Sequence, residues 1–191
     1  MVIARNYNDI MLNFKSQITQ KLLGYYFVNP HKKHYVNELA RILNLDLGNL
    51  SRKLKQLENE GILISEFSGK QRYYFLNKKY PWLRETKKMF DASFGLKEIL
   101  AKKLHELEGL KEAYIFGSYA KGNFGSQSDI DLLLIGSHSS MEATRKILPL
   151  QNQLGREFNA IDMSQKEYEK RKKESDPFLA NILSGKIIKI V

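Results

Sequence analysis

The chain has 191 residues, 42% of them hydrophobic, and a formal net charge of +10, which admits one large or two small domains with real cores rather than global disorder. The absence of cysteine excludes disulfide scaffolds, thiolate metal sites and cysteine nucleophiles. No apolar run approaches the roughly 20 residues of a membrane span, and the opening "MVIARNYNDIMLNF" lacks a signal peptide's apolar core and cleavage site, so a cytoplasmic chain without membrane contact is expected.

Charge is split unevenly. Residues 1–90 hold 16 Lys/Arg against 7 Asp/Glu, and residues 91–191 hold 15 against 14. A basic excess confined to one half points to a polyanion partner for that half.

In chain order, "SQITQKLLGYYF" carries Ile18, Leu22, Leu23 and Tyr26 at helical spacing, and Pro30 ends that helix. "YVNELARILNL" puts Val36, Leu39, Ala40 and Leu43 on one face. "LDLGNLSRKLKQLENEG" predicts a third helix with Leu47, Leu50, Leu54 and Leu57 as its stripe, Asp46 as N-cap and Gly61 as stop. "ILISEF", a "SGK" turn and "QRYYFLN" then read as a hairpin.

Three helices followed by a two-stranded wing resemble a winged helix-turn-helix, over about residues 15–78. Apolar positions carry most of that pattern, so it speaks to fold more than to ligand. Asn49, Arg52, Lys53 and Gln56 project away from the leucine stripe, where a helix in the major groove meets bases and phosphates. Lys70 and Arg72 are expected at the wing tip, and Lys32 and Lys33 near the DNA backbone. Double-stranded DNA is the partner this implies, bound as a homodimer on paired half-sites. The plain alternative is a solvated polar face or a protein-docking module. The aromatics at 73–75 fit packing of the wing better than base stacking.

"NKKYPWLRETKKMFDASFGLKEILAKKLHELEG" reads as a structured connector. Pro81 opens a helix anchored by Trp82, Leu83, Met89 and Phe90, and Gly95 breaks it before a second helix. The expected division is residues 1–80, a connector at 81–94, and a second domain at 95–191.

After Gly109 the chain alternates strand and helix. "EAYIFG", "SQSDIDLLLIG", "REFNAIDMS" and "KIIKIV" are predicted strands; "SMEATRKILPLQNQLG", "QKEYEKRKKESD" and "PFLANILSG" are predicted helices. The result is a small α/β domain on a mixed sheet. Within it, Asp129 and Asp131 alternate with Ile130 and so point to one face. Two neighbouring carboxylates repel, and a hard divalent cation such as Mg²⁺ or Mn²⁺ relieves that repulsion. Gly117 and Ser118 fall at a strand-to-helix turn, where amides favour phosphate. A D-x-D in a strand is common by itself; facing a phosphate cradle, it suggests a nucleoside triphosphate site.

"GSYAKG", a short interval and "SDIDLLL" resemble the nucleotidyltransferase superfamily to which DNA polymerase beta belongs, over about residues 95–191. The resemblance implies metal binding by Asp129 and Asp131, and nucleotide binding by Gly117, Ser118, Lys121 and Ser128. It implies transfer of a nucleoside monophosphate to a hydroxyl, such as a protein tyrosine. Two departures stand out. Tyr119 occupies a position where arginine is frequent, and the third carboxylate of the catalytic set is either Asp162 or replaced by Asn159. The whole arrangement resembles fused regulator–nucleotidyltransferase proteins of prokaryotes. A non-catalytic nucleotide sensor or dimerising regulator, or an antitoxin-like protein docking a small helical toxin, are the alternatives.

Overall fold

A computed structural model describes residues 14–125 and 128–191, so the opening stretch read above for a signal peptide lies almost entirely outside the described residues. The chain divides into two compact units, residues 1–90 and 91–191.

The first unit begins with α1 (Gln17–Val28), capped by Ser16, followed by β1 (His34–Tyr35), α2 (Val36–Leu43) and α3 (Leu47–Asn59). Asp46 accepts from the Asn49 amide at 2.9 Å, which satisfies one of the open donors at the start of α3. A hairpin of β2 (Leu63–Ser68) and β3 (Gln71–Leu76) follows, and β1 joins β3 to make an antiparallel sheet in the order β1-β3-β2. That third strand is two residues long, too short to leave a period in the sequence. Leu22, Leu23, Tyr26, Leu39, Leu43, Leu50, Leu54, Leu57, Leu63, Tyr74 and Leu76 form the core, and the Tyr26 hydroxyl donates to the Tyr74 carbonyl at 2.7 Å.

Two expectations fail here. Leu47 is 47% exposed, because the stripe of α3 starts only at Leu50. Along α4 (Leu83–Phe94), Phe90 is buried among Phe27 and Phe14, whereas Trp82 and Met89 are 59% and 63% exposed.

The second unit holds α5 (Leu96–Leu104), β4 (Leu110–Phe116), α6 (Gly117–Lys121), β5 (Ile130–Gly136) and α7 (Ser140–Leu154), then β6 (Phe158–Met163), α8 (Gln165–Lys173), α9 (Pro177–Ser184) and β7 (Ile188–Lys189). Its sheet runs β6-β5-β4-β7, mixed, with β5 and β6 parallel and the other pairs antiparallel. Ser139 and Ser164 cap α7 and α8 through the amides of Glu142 and Glu167, three residues on in each case. β5 is apolar throughout apart from Asp131, and its residues from Leu132 onward are buried, as a central strand covered on both faces requires. Leu133 and Ile135 pack with Met163, Tyr168, Leu179 and Ile182 on the α8–α9 face, and the alternate residues turn to the other side. Among the described residues, no helix is long and apolar enough to cross a membrane.

Candidate functional site

β4 delivers the chain to a left-handed turn at Gly117, with φ of 71°, a conformation glycine adopts without steric cost. A second constraint excludes larger residues. A Cβ at Gly117 would lie 2.1 Å from Oδ2 of Asp131, so that carboxylate rests against the bare glycine backbone. The register explains the meeting, since Phe116 pairs with Asp131 across β4 and β5. α6 is a single turn closed by Gly122 at φ of 82°, too short for a strong macrodipole; what it offers an anion is its first-turn amides.

β5 starts at Ile130, so Asp129 stands one residue before the strand, exposed, while Asp131 is half-buried within it. Burial pushes the Asp131 carboxyl above the ordinary carboxylate range, the Asn159 amide draws it back in part, and the Asp129 charge pushes it up again.

Register decides which β6 side chain lies beside Asp131. Asn159 pairs with Asp131 across the parallel strands, and its Nδ2 donates to Asp131 Oδ1 at 3.4 Å. Asp162 pairs with Leu134 instead, on the opposite face of β6. There it accepts from Nε2 of His138 at 2.7 Å, a histidine whose side chain is 1% exposed. The inward turn of Asp162 that a bulge would produce does not occur, because β6 keeps an unbroken register from Phe158 to Met163. Asp162 thus lies outside the Asp131 cluster and ties the segment after β5 to β6.

The other expected residues are distributed as follows. Ser118 is half-buried in the α6 turn, and Lys121 is exposed at its end. The Ser128 hydroxyl accepts from the Gly125 amide at 3.1 Å, which closes the loop ahead of Asp129. Tyr119 packs edge-on against Phe124, with centroids 5.1 Å apart, and burial followed by the Asp91 charge pushes its phenol well above the ordinary range. Sequence reasoning missed Arg156. This arginine is 7% exposed, lies 4.5 Å over the Phe124 ring and donates to the Ser128 carbonyl at 3.2 Å, bracing the loop that carries Asp129. An arginine beside a helix-ending glycine gives no sequence sign of burial. Among the described residues, no group of three or more His, Cys, Asp or Glu is placed to hold a metal ion; the oxygen donors at this site are two carboxylates and one amide.

In the first unit, the polar residues of α3 form an exposed ladder. Arg52 donates to Asn49 Oδ1 at 2.6 Å, Lys53 to Gln56 Oε1 at 2.7 Å, and Gln56 to Glu60 Oε1 at 2.8 Å. Lys70 is exposed in the β2–β3 turn. Arg72 departs from its expected place at the tip. Its guanidinium folds back to both Glu58 carboxylate oxygens, at 2.8 and 2.7 Å, while its Nε donates to Ser65. A single guanidinium nitrogen, Nη2, spans both carboxylate oxygens, and this charge-assisted contact fastens the hairpin to α3.

Residues 97–189 match the family model described as nucleotidyltransferase domain, just under half of the chain. The α/β fold with a mixed sheet agrees with that match. No curated protein matches the chain. Similar solved structures include a chain of the MntA–HpeT toxin–antitoxin complex, at 15% identity, covering 50% of this chain and 72% of that one with a TM-score of 0.38. A toxin–antitoxin structure with AMP-PNP is similar at 18% identity, covering 47% and 85%, with a TM-score of 0.34. A third holds a tri-AMPylated Shewanella oneidensis HEPN toxin with its MNT antitoxin, at 14% identity, covering 47% and 85%, with a TM-score of 0.27.

Proposed function

We propose that the second unit binds a magnesium- or manganese-bound nucleoside triphosphate and transfers its nucleoside monophosphate to a hydroxyl acceptor, a protein tyrosine being the acceptor class the family resemblance suggests. The observation that carries this reading is the contact between Gly117 and Asp131: a half-buried carboxylate, raised by burial and by Asp129, pressed on a turn that admits no side chain. Paired hard-oxygen donors of this kind suit a divalent cation. Such a cation, when bound, would neutralise phosphate charge and activate the acceptor oxygen. Asp129 and Asp131 would hold it, with the Asn159 amide able to turn its carbonyl inward as a neutral third oxygen. Gly117 and Ser118 would meet the triphosphate, with Lys121 countering its charge. Labelled ATP incubated with the chain, Mg²⁺ and tyrosine-bearing proteins tests this. Transfer lost in both Asp129→Asn and Asp131→Asn is expected, and label that persists in them removes the site.

One observation favours a second reading. Asn159 stands where a proton-accepting carboxylate would serve, and an amide takes no proton. On this reading the unit binds nucleotide without turnover, as a sensor. Calorimetric binding with no transfer, and transfer gained in Asn159→Asp, would select it.

For the first unit we propose a winged helix-turn-helix that binds double-stranded DNA as a homodimer, with α4 as connector. The exposed ladder Asn49, Arg52, Lys53 and Gln56 and the basic excess of residues 1–90 support it.

A further inference from the structure

Lys33 apart, the outer face of the first sheet is used by neither reading. Strand alternation turns Leu63, Tyr74 and Leu76 into the core and sends Ile64 and Phe75, which pair across β2 and β3, to the other side. The aromatics at 73–75 therefore do not share one packing role. Tyr74 is 2% exposed, whereas Phe75 is only half-buried and its neighbour Ile64 is 37% exposed.

Around this pair lies a groove of about 480 Å³, which His31, Lys33, Lys78 and Lys79 also line, within the range of roughly 300–1,000 Å³ typical of small-ligand pockets. Among the described residues, no carboxylate lines it. Lys78 Nζ stands 2.8 Å from His31 Nδ1. An ammonium can only donate, so Nδ1 is the acceptor of this contact. Lys33 Nζ lies 4.5 Å over the Phe75 ring while bonded to Glu66 at 2.7 Å. An apolar floor with a single aromatic ring is thus bordered by cations and N–H donors.

We propose that this groove binds a mononucleotide, its base against Phe75 and Ile64 and its phosphate among Lys78, Lys79 and His31. Stacking on Phe75 requires Lys33 to leave the ring face, where only a half-exposed ion pair to Glu66, a weak kind of tie, holds it. One ring accommodates one base, whereas a nucleic-acid strand needs successive platforms. The site belongs to the first unit alone and does not rest on the transferase reading.

The test uses the full chain carrying Asp129→Asn and Asp131→Asn, in EDTA, so that metal-dependent binding at the second unit is removed. Titration with AMP by calorimetry is expected to show saturable binding. Lys78→Glu with Lys79→Glu should weaken it at least about tenfold, and Phe75→Leu about threefold, with folding of each variant checked by thermal melting. Unchanged affinity in the lysine pair variant overturns the proposal, as does the absence of binding at millimolar AMP. Inorganic phosphate binding as tightly as AMP would remove the aromatic role. A single-stranded oligonucleotide that binds the groove while AMP fails to compete would remove the mononucleotide.

Discussion

Gly117 and Asp131 carry the sharpest residue-scale consequences. Adding one methyl in Gly117→Ala forces both a disfavoured φ and a 2.1 Å collision with Asp131. We expect a loss of about 1–3 kcal/mol, measured by urea unfolding, together with loss of metal-dependent nucleotide binding. Asp131 gives a pH signature. Its folded-state pKa is raised, so the folded protein binds this proton more readily than the unfolded chain. That contribution to stability is present below the unfolded pKa and is lost as pH rises through the folded one. In EDTA, wild type should lose stability relative to Asp131→Asn as pH rises from about 4, the ordinary carboxylate value, through the raised folded-state pKa, and Mg²⁺ with nucleotide should reverse the difference. Melting curves of both proteins across that range check it; parallel curves would mean that the carboxylate is not strained.

Elements were legible where burial imposes a period. The α3 stripe at Leu50, Leu54 and Leu57 and the apolar run of β5 from Leu132 onward are written in residue type. What lay beyond reach depends on partners distant in sequence. Arg72 reads as a wing-tip cation until Glu58, 14 residues earlier, is seen to capture it. Asp162 reads as an alternative to Asn159 for the place beside Asp131 until strand register sends it to His138. Arg156 carries no signal because a buried arginine looks like a solvated one. The Glu58–Arg72 pair predicts that Arg72→Ala and Glu58→Ala each loosen the hairpin, with a coupling of about 1 kcal/mol in a double-mutant cycle. On α3, Arg52→Ala with Lys53→Ala should weaken DNA binding and lower the salt slope by about two. Equal slopes in wild type and variant would reject this face.

For the whole molecule, charge and chemistry are segregated: the basic excess belongs to residues 1–90 and the paired carboxylates to residues 91–191. Asp129→Asn with Asp131→Asn should therefore leave the salt dependence of DNA binding unchanged while removing metal-dependent nucleotide binding, as parallel titrations of one preparation would show. Calorimetry of the full chain with ATP, in Mg²⁺ and in EDTA, decides whether the second unit is a metal-dependent nucleotide site. Saturable, metal-dependent binding that Asp131→Asn abolishes is the predicted result. A flat titration at saturating ATP and Mg²⁺, or binding indifferent to Asp131, would contradict it.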